Sequence, residues 1–285
     1  MSGRDSEGET APARLIRIDD PADPRIAEFV SIRERDLTGR DHRFIAEGTV
    51  VLNALANAGA SGRFVLEKLF LLESRVAGLS ELLARLDPAI PAYVADRRVM
   101  DAVVGFAMHR GVLALGRHAP APDADTFLAG LPQAALVVAA VGLSNHDNMG
   151  SIFRNAGVFG ADGVLIDETS CDPLYRKAIR VSVGAALRVP FCRGGSATQM
   201  LEALEARGFE LVGLSPRGEV AIEDHAPGRR VALIAGAEGP GLPDAVLERV
   251  RRVRIGQAPG LDSLNVATAT GIALWQVALK MKRLS

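Results

Sequence analysis

Cysteine is almost absent from this sequence. Cys171 and Cys192 are the only two, and their spacing suits neither a metal site nor a disulfide framework. So sparing a use fits a reducing cytosol, and no metal is expected. Charge of one sign is not in excess: 33 Lys and Arg stand against 34 Asp and Glu, a net charge of -1. Bulk electrostatics therefore select no partner, and any nucleic-acid surface has to be a local patch. No apolar run is long enough to span a bilayer, so no membrane association is expected. The opening residues are polar and carry acids, unlike a signal peptide, which leaves a cytoplasmic protein as the expectation. There is no internal repeat, no Walker loop and no Gly-x-Gly-x-x-Gly fingerprint, which weighs against a nucleotide-dependent oxidoreductase.

The 285 residues, 48% of them apolar, supply ample core for one large domain or two modest ones. Residues 1–13 are polar and small, and read as a disordered leader. Short apolar or β-branched runs near 14–18, 43–48, 66–72, 91–94 and 111–116 read as strands. Segments with helical spacing lie between them, near 25–31, 51–58, 79–86 and 96–104. A proline-rich stretch at 118–125 marks a boundary. The expected division is a first domain at 14–118, a linker at 119–133 and a second domain at 134–285. Strands in that second part fit 136–141, 163–166, 189–192, 210–214, 231–235 and 252–255, with a long closing helix at 264–282. Alternation of strands and helices throughout implies an α/β layer structure.

Three strand-to-helix turns carry the chemistry. The first follows the run 136–141 and reads Asn145-His146-Asp147-Asn148-Met149-Gly150-Ser151-Ile152-Phe153-Arg154. Asn148 sits where an N-cap belongs. Met149, Ile152, Phe153, Ala156 and Phe159 recur at helical spacing as one apolar face, and Arg154 lies off it. His146 is read as loop structure. The second turn, Ala235-Gly236-Ala237-Glu238-Gly239-Pro240-Gly241-Leu242, is rich in glycine, which lets a ligand approach the main chain, and Pro243 reads as the first residue of a helix. The third runs from Ile255 through Gly256 and Pro259 to Ser263-Leu264-Asn265-Val266, with Ser263 as the natural N-cap. Leu264, Thr268, Gly271, Ile272, Trp275 and Leu279 follow at helical spacing. Trp275 is expected in the core or at a dimer interface, and the two cysteines as small buried hydrophobes. Asp172-Pro173 reads as the cap and first residue of a basic helix bearing Arg176, Lys177 and Arg180.

Together, in order, these segments resemble the SpoU branch of the SPOUT RNA methyltransferases. The resemblance rests on Asn148-x-Gly150-x-x-x-Arg154, Gly236-x-Glu238-Gly239 and Ser263-Leu264-Asn265-Val266, and covers about residues 134–285. It implies an α/β domain whose C-terminal part forms a deep trefoil knot, an exception to the unknotted rule. It also implies S-adenosylmethionine as cofactor, held by Ala235, Gly236, Gly239, Ile255, Ser263 and Leu264. Methyl transfer to a ribose 2′-hydroxyl of rRNA or tRNA is implied, with Arg154, Asn148, Glu238, Ser263 and Asn265 as catalytic residues, in a homodimer. The first half is similar to the small L30e-like α/β domain many SpoU enzymes carry, through 43–48 and 108–111. That likeness implies RNA contacts at Arg43 and Arg110, joined by Arg176 and Arg180 of the second domain. A non-catalytic RNA-binding protein on the same scaffold is the alternative.

Overall fold

The computed structural model describes residues 14–30, 37, 41–59, 62–239, 241–258, 260 and 264–284. The leader expected at 1–13 lies outside the described residues. The chain divides into two compact units, 1–119 and 120–285.

The strands of the first unit are β1 (Leu15–Arg17), β2 (Arg43–Glu47), β3 (Phe64–Leu72), β4 (Ala92–Ala95) and β5 (Val112–His118). Its helices are α1 (Thr49–Ala58), α2 (Glu73–Val76), α3 (Ser80–Arg85) and α4 (Arg97–Val104), with a 3-10 turn at Pro24–Phe29. They build one mixed sheet in the order β1-β4-β3-β5-β2. β4 pairs in parallel with β1 and β3, whereas β5 is antiparallel to both neighbours. Phe29, Ile45, Phe70, Met100 and Leu115 close its core, all at most 1% exposed.

The second unit holds α5 (Ala124–Ala129), β6 (Ala135–Ala140), α6 (His146–Val158), β7 (Gly163–Ile166), α7 (Arg176–Val181), β8 (Phe191–Arg193), α8 (Ala197–Ala206), β9 (Glu210–Leu214), β10 (Val220–Ala221), β11 (Arg230–Ala235), α9 (Asp244–Leu247), β12 (Arg251–Arg254) and α10 (Val266–Lys280). Its seven strands form one sheet in the order β10-β12-β9-β11-β6-β7-β8, parallel at every pairing. The central strands β6 and β11 are buried on both faces, as a parallel sheet between helices requires, and read as unbroken apolar runs.

Four local expectations are corrected. The stretch 119–133 is more than a linker, because α5 lies inside it and packs Phe127 and Leu128 into the core of the second unit. Helix α6 starts before Asn148: Asn145 is its N-cap, accepting from the Asp147 amide at 2.8 Å. Asp172 instead turns the chain, taking the Leu174 amide at 2.8 Å, and α7 begins only at Arg176. Pro243, with ψ near 149°, is the residue before α9 and not its first turn.

Candidate functional site

β6 and β11 are neighbours in the sheet, yet the chain leaves them in opposite directions. From β6 it proceeds through α6 to β7 and β8, and from β11 it goes to β12 on the other side. In open α/β sheets ligands bind at such a switch, outside the carboxyl ends of the strands. A cavity of about 340 Å³ lies on the β11 side of that switch, at the ends of β9, β11 and β12 and against the start of α10, and no residue of β6 or α6 lines it. Ala235, Gly236, Gly239, Ile255 and Leu264 all line it, together with Glu238 and Asn265. Ser263 lies outside the described residues.

The loop after β11 has its shape because Gly236 has no side chain. A Cβ there would come within 2.6 Å of the Gly241 carbonyl carbon and the Leu242 nitrogen. Its absence lets the loop fold back on itself, closed by the bridge between Ala237 and Gly241. Glu238 is thereby carried to the cavity mouth.

Asn265 joins the three turns. It caps α10, its Oδ1 accepting from the amides of Ala267 and Thr268 at 3.0 and 3.1 Å. Capping fixes which end of the side-chain amide faces inward and leaves Nδ2 pointing away from the helix. Nδ2 donates to Asn148 Oδ1 and to Glu238 Oε1, both at 2.9 Å. Asn148 is 4% exposed, and with its oxygen committed its Nδ2 is buried without a partner. Two turns further along the same face of α6, Asn155 donates to the Ala267 carbonyl at 2.8 Å and ties the helices together a second time. The expected cap at Ser263 gives way to Asn265 as the observed one.

Arg154 does not line the cavity. It stands exposed on α6, and no hydrogen bond or ion pair holds it among the described residues. The nearby apolar face behaves as its spacing requires, with Met149, Ile152, Phe153 and Ala156 buried. Close packing of α7 explains Gly150, where a Cβ would meet the Ala178 carbonyl oxygen at 2.6 Å. His146 is the first residue of α6 rather than loop. Its ring stacks on Tyr175 at 4.0 Å between centroids, and burial followed by the Lys177 charge pushes its pKa down.

The expected RNA-contacting arginines fall on both units. Arg43 is held by Glu67 at 2.7 Å, which also binds Arg117. Arg110 passes over Gly48 at the start of α1. Arg176 and Arg180 lie half-buried on α7, and Lys177 between them is paired with Asp147 at 2.7 Å. Cys192 is buried. Cys171 is half-buried, its thiol pushed up to about 11 by burial and the neighbouring Asp172.

Of the two places expected for Trp275, the core is not where helix α10 puts it. Ala267, Gly271, Ala273, Leu274, Val277 and Ala278 face inward, but Leu264, Ile272, Trp275 and Leu279 are between 36% and 47% exposed. A groove of about 520 Å³ runs between Ile272 and Trp275 of this stripe on one side and Ser151 and Asn155 of α6, with Phe159 just past its end, on the other.

Sequence reasoning missed Leu214, Ser215 and Pro216, which wall the cavity at the end of β9, and Gln257 after β12. A polar turn directly after a buried strand was the available signal for the first three. It also missed Asn155, two helical turns beyond Asn148.

A doubly wound parallel sheet with a ligand-sized cavity outside the carboxyl ends of its strands defines an α/β small-molecule-binding domain. Comparison with known proteins narrows that class. The model of the SpoU rRNA methylase family matches residues 135–275. A Mycobacterium bovis protein named as an uncharacterized tRNA/rRNA methyltransferase is 39% identical over 275 residues, covering 90% of this chain and 89% of its own. A crystal structure of an RNA 2′-O ribose methyltransferase is similar at a TM-score of 0.76 and 26% identity, covering 94% of this chain and all of that one. The AdoMet-bound rRNA methyltransferase of Sinorhizobium meliloti shares the fold at a TM-score of 0.78 and 21% identity, over 95% of this chain and 99% of its own. The chain belongs to the SpoU rRNA methylase family.

Proposed function

We propose that this protein transfers a methyl group from S-adenosylmethionine to a ribose 2′-hydroxyl of rRNA or tRNA. The observation that carries the reading is the Asn148–Asn265–Glu238 hydrogen-bond chain, which gathers three distant turns at the mouth of one cavity. The cavity falls in the size range of small-molecule sites, roughly 300–1,000 Å³. Leu214, Leu242, Ile255 and Leu264 offer flat apolar walls for a nucleobase, and residues 236–239 and Gly241 offer backbone groups. Glu238 is the only charged residue among its described lining residues, so the site suits a cation such as a sulfonium. Bound there, S-adenosylmethionine supplies a methyl already activated by the sulfonium.

The chain's own contribution is placement and proton removal. Arg154 is the residue we assign to the acceptor. Discharging an arginine at neutral pH would cost about 7–9 kcal/mol, so it acts as a cation that binds the hydroxyl and adjacent phosphate, with the proton leaving late to phosphate or water. Asn148 and Asn265 fix the mouth of the site through hydrogen bonds, and Glu238 orients them. We further propose that two copies pair across the apolar stripe and groove of α6 and α10, which brings Arg154 of one copy towards a cavity. The trefoil knot is part of the same reading, because α10 returns to pack on α6 and β11 beside the cavity. Residues 14–118 serve as the RNA-holding domain, through Arg43 and Arg110, with Arg176 and Arg180 on the catalytic domain.

Incubation with labelled S-adenosylmethionine and RNA from cells lacking the gene tests this, with nucleoside mass spectrometry as readout. A 2′-O-methylated nucleoside is the expected product. Binding of RNA without transfer would establish a non-catalytic protein on this scaffold instead, and failure to bind S-adenosylmethionine in calorimetry would refute the cavity's assignment.

A further inference from the structure

The most densely satisfied buried carboxylate near this cavity belongs to Asp167, at the end of β7 and 2% exposed. It sits in no motif. Its Oδ1 accepts from the Gly142 amide at 3.1 Å, the Ser170 amide at 3.0 Å and the Ser170 hydroxyl. Its Oδ2 accepts from the Thr169 hydroxyl at 2.6 Å. Ser170, also 2% exposed, extends the anchor by accepting from the Leu143 amide at 2.9 Å. The Cys171 amide closes it by donating to the Leu143 carbonyl at 2.8 Å.

What these bonds hold is the corner between β6 and α6. Gly142 turns there with φ near +67°, and a Cβ on it would lie 3.6 Å from that of Ala237 in the glycine loop. Asn145, three residues on, caps α6, and Asn148 follows in its first turn. A charged acceptor makes stronger hydrogen bonds than a neutral one, and burial strengthens them further. The corner is thus bolted to β7, not merely draped across the sheet.

We propose that Asp167 is a positioning residue for methyl transfer: its carboxylate sets the Gly142–Leu143 corner and, through it, the placement of Asn148 and Arg154. This rests on the methyltransferase reading above. Asp167 touches neither the cavity nor the acceptor, so its loss acts on turnover through geometry, and a small misplacement of reacting groups is expensive.

The test compares Asp167→Ala, Asp167→Asn and Ser170→Ala for kcat, for S-adenosylmethionine affinity by calorimetry and for thermal unfolding. Asp167→Ala is expected to lower kcat about tenfold or more while cofactor affinity stays within about twofold. Asp167→Asn is expected to recover most of the rate: its oxygen still accepts from Gly142 and Ser170, and its amide nitrogen donates to the Thr169 hydroxyl. Ser170→Ala, which removes the acceptor of the Leu143 amide and one donor to Asp167 Oδ1 but leaves the Gly142 bond in place, is expected to fall between. Wild-type turnover in folded Asp167→Ala overturns the proposal, as does equal loss of kcat and cofactor affinity. Should Asp167→Ala fail to fold, Ser170→Ala with wild-type kcat overturns it. Absence of transfer by the wild-type protein refutes the functional reading and this role together; wild-type transfer with undiminished variants refutes this role alone.

Discussion

Replacing Asn265 with aspartate separates the two tasks of its side chain. Aspartate caps a helix as well as asparagine does, so α10 keeps its first turn. The other half of the side chain changes from donor to acceptor and then faces Asn148 Oδ1 and Glu238 Oε1, each bonded at 2.9 Å in the native protein. Asn148 is 4% exposed, so its oxygen is left without a partner and without water. An unsatisfied buried acceptor costs about 1–3 kcal/mol. Glu238 is exposed, and solvent limits the second repulsion to no more than about 1 kcal/mol. The unit 120–285 should therefore lose about 1–4 kcal/mol at pH 8, a melting shift of roughly 2–16 °C for a domain of this size. The new carboxylate lies beside another, so one of the two titrates above its usual range. A folded-state value above the unfolded one favours folding once the group is protonated, so the deficit shrinks as pH falls from 8 towards 5. Asn265→Ser, which caps without adding charge, should show no such pH dependence. Thermal unfolding of the three proteins at both pH values is the assay. Coincident transitions for wild type and Asn265→Asp at pH 8, or an Asp deficit equal at both pH values, would refute the reasoning.

Arg154→Ala should abolish methyl transfer while leaving S-adenosylmethionine affinity unchanged in calorimetry, because Arg154 lines no part of the cavity. Arg154→Lys should stay severely impaired, since a point charge cannot engage hydroxyl and phosphate with one planar fork. Gly271→Ala would set a Cβ 2.7 Å from Asn155 Nδ2 and should cost about 1–3 kcal/mol in chemical denaturation. Asn155→Ala alone should cost about 1 kcal/mol, and the double variant should cost less than the sum because the smaller residue relieves the clash. His225 is fully buried with neither ring nitrogen hydrogen-bonded, and burial lowers its pKa against the opposing pull of Glu210. The unfolded chain therefore binds its proton more readily, so stability is full above the ordinary histidine value of about 6.5 and is lost below it, as pH falls through the lowered folded-state value. His225→Leu should flatten that part of the stability profile, and an unaltered profile would exonerate His225.

Much of this protein is written locally. The apolar runs that became β6 and β11, the glycine loop after Ala235 and the helical spacing around Phe153 could be read directly, because burial on both faces, backbone freedom and a 3.6-residue period each leave a short-range mark. Family membership was legible for the same reason: each of its three motifs is a local corner. Helix starts were less legible. Asn145 and Asn148 are both good caps; the cap is Asn145, and Asn148, inside the first turn, is engaged by a residue 117 positions away. Asp172 and Asn265 repeat the lesson, since a side chain that can cap may equally turn a loop or bridge elements.

The sequence alone determined the alternation of elements, the identity of the three corners and the absence of membrane-type segments. Tertiary structure alone decided that Asn148, Glu238 and Asn265 meet, that Leu214 to Pro216 wall the same cavity, and that α10 turns Ile272 and Trp275 outward. It also decided that Asp167, outside every motif, holds the corner before α6. Periodicity and capping act over a few residues and so survive in the linear pattern. Which corners converge depends on strand order in the parallel sheet, set by packing between segments a hundred residues apart, and no local window of the chain contains that.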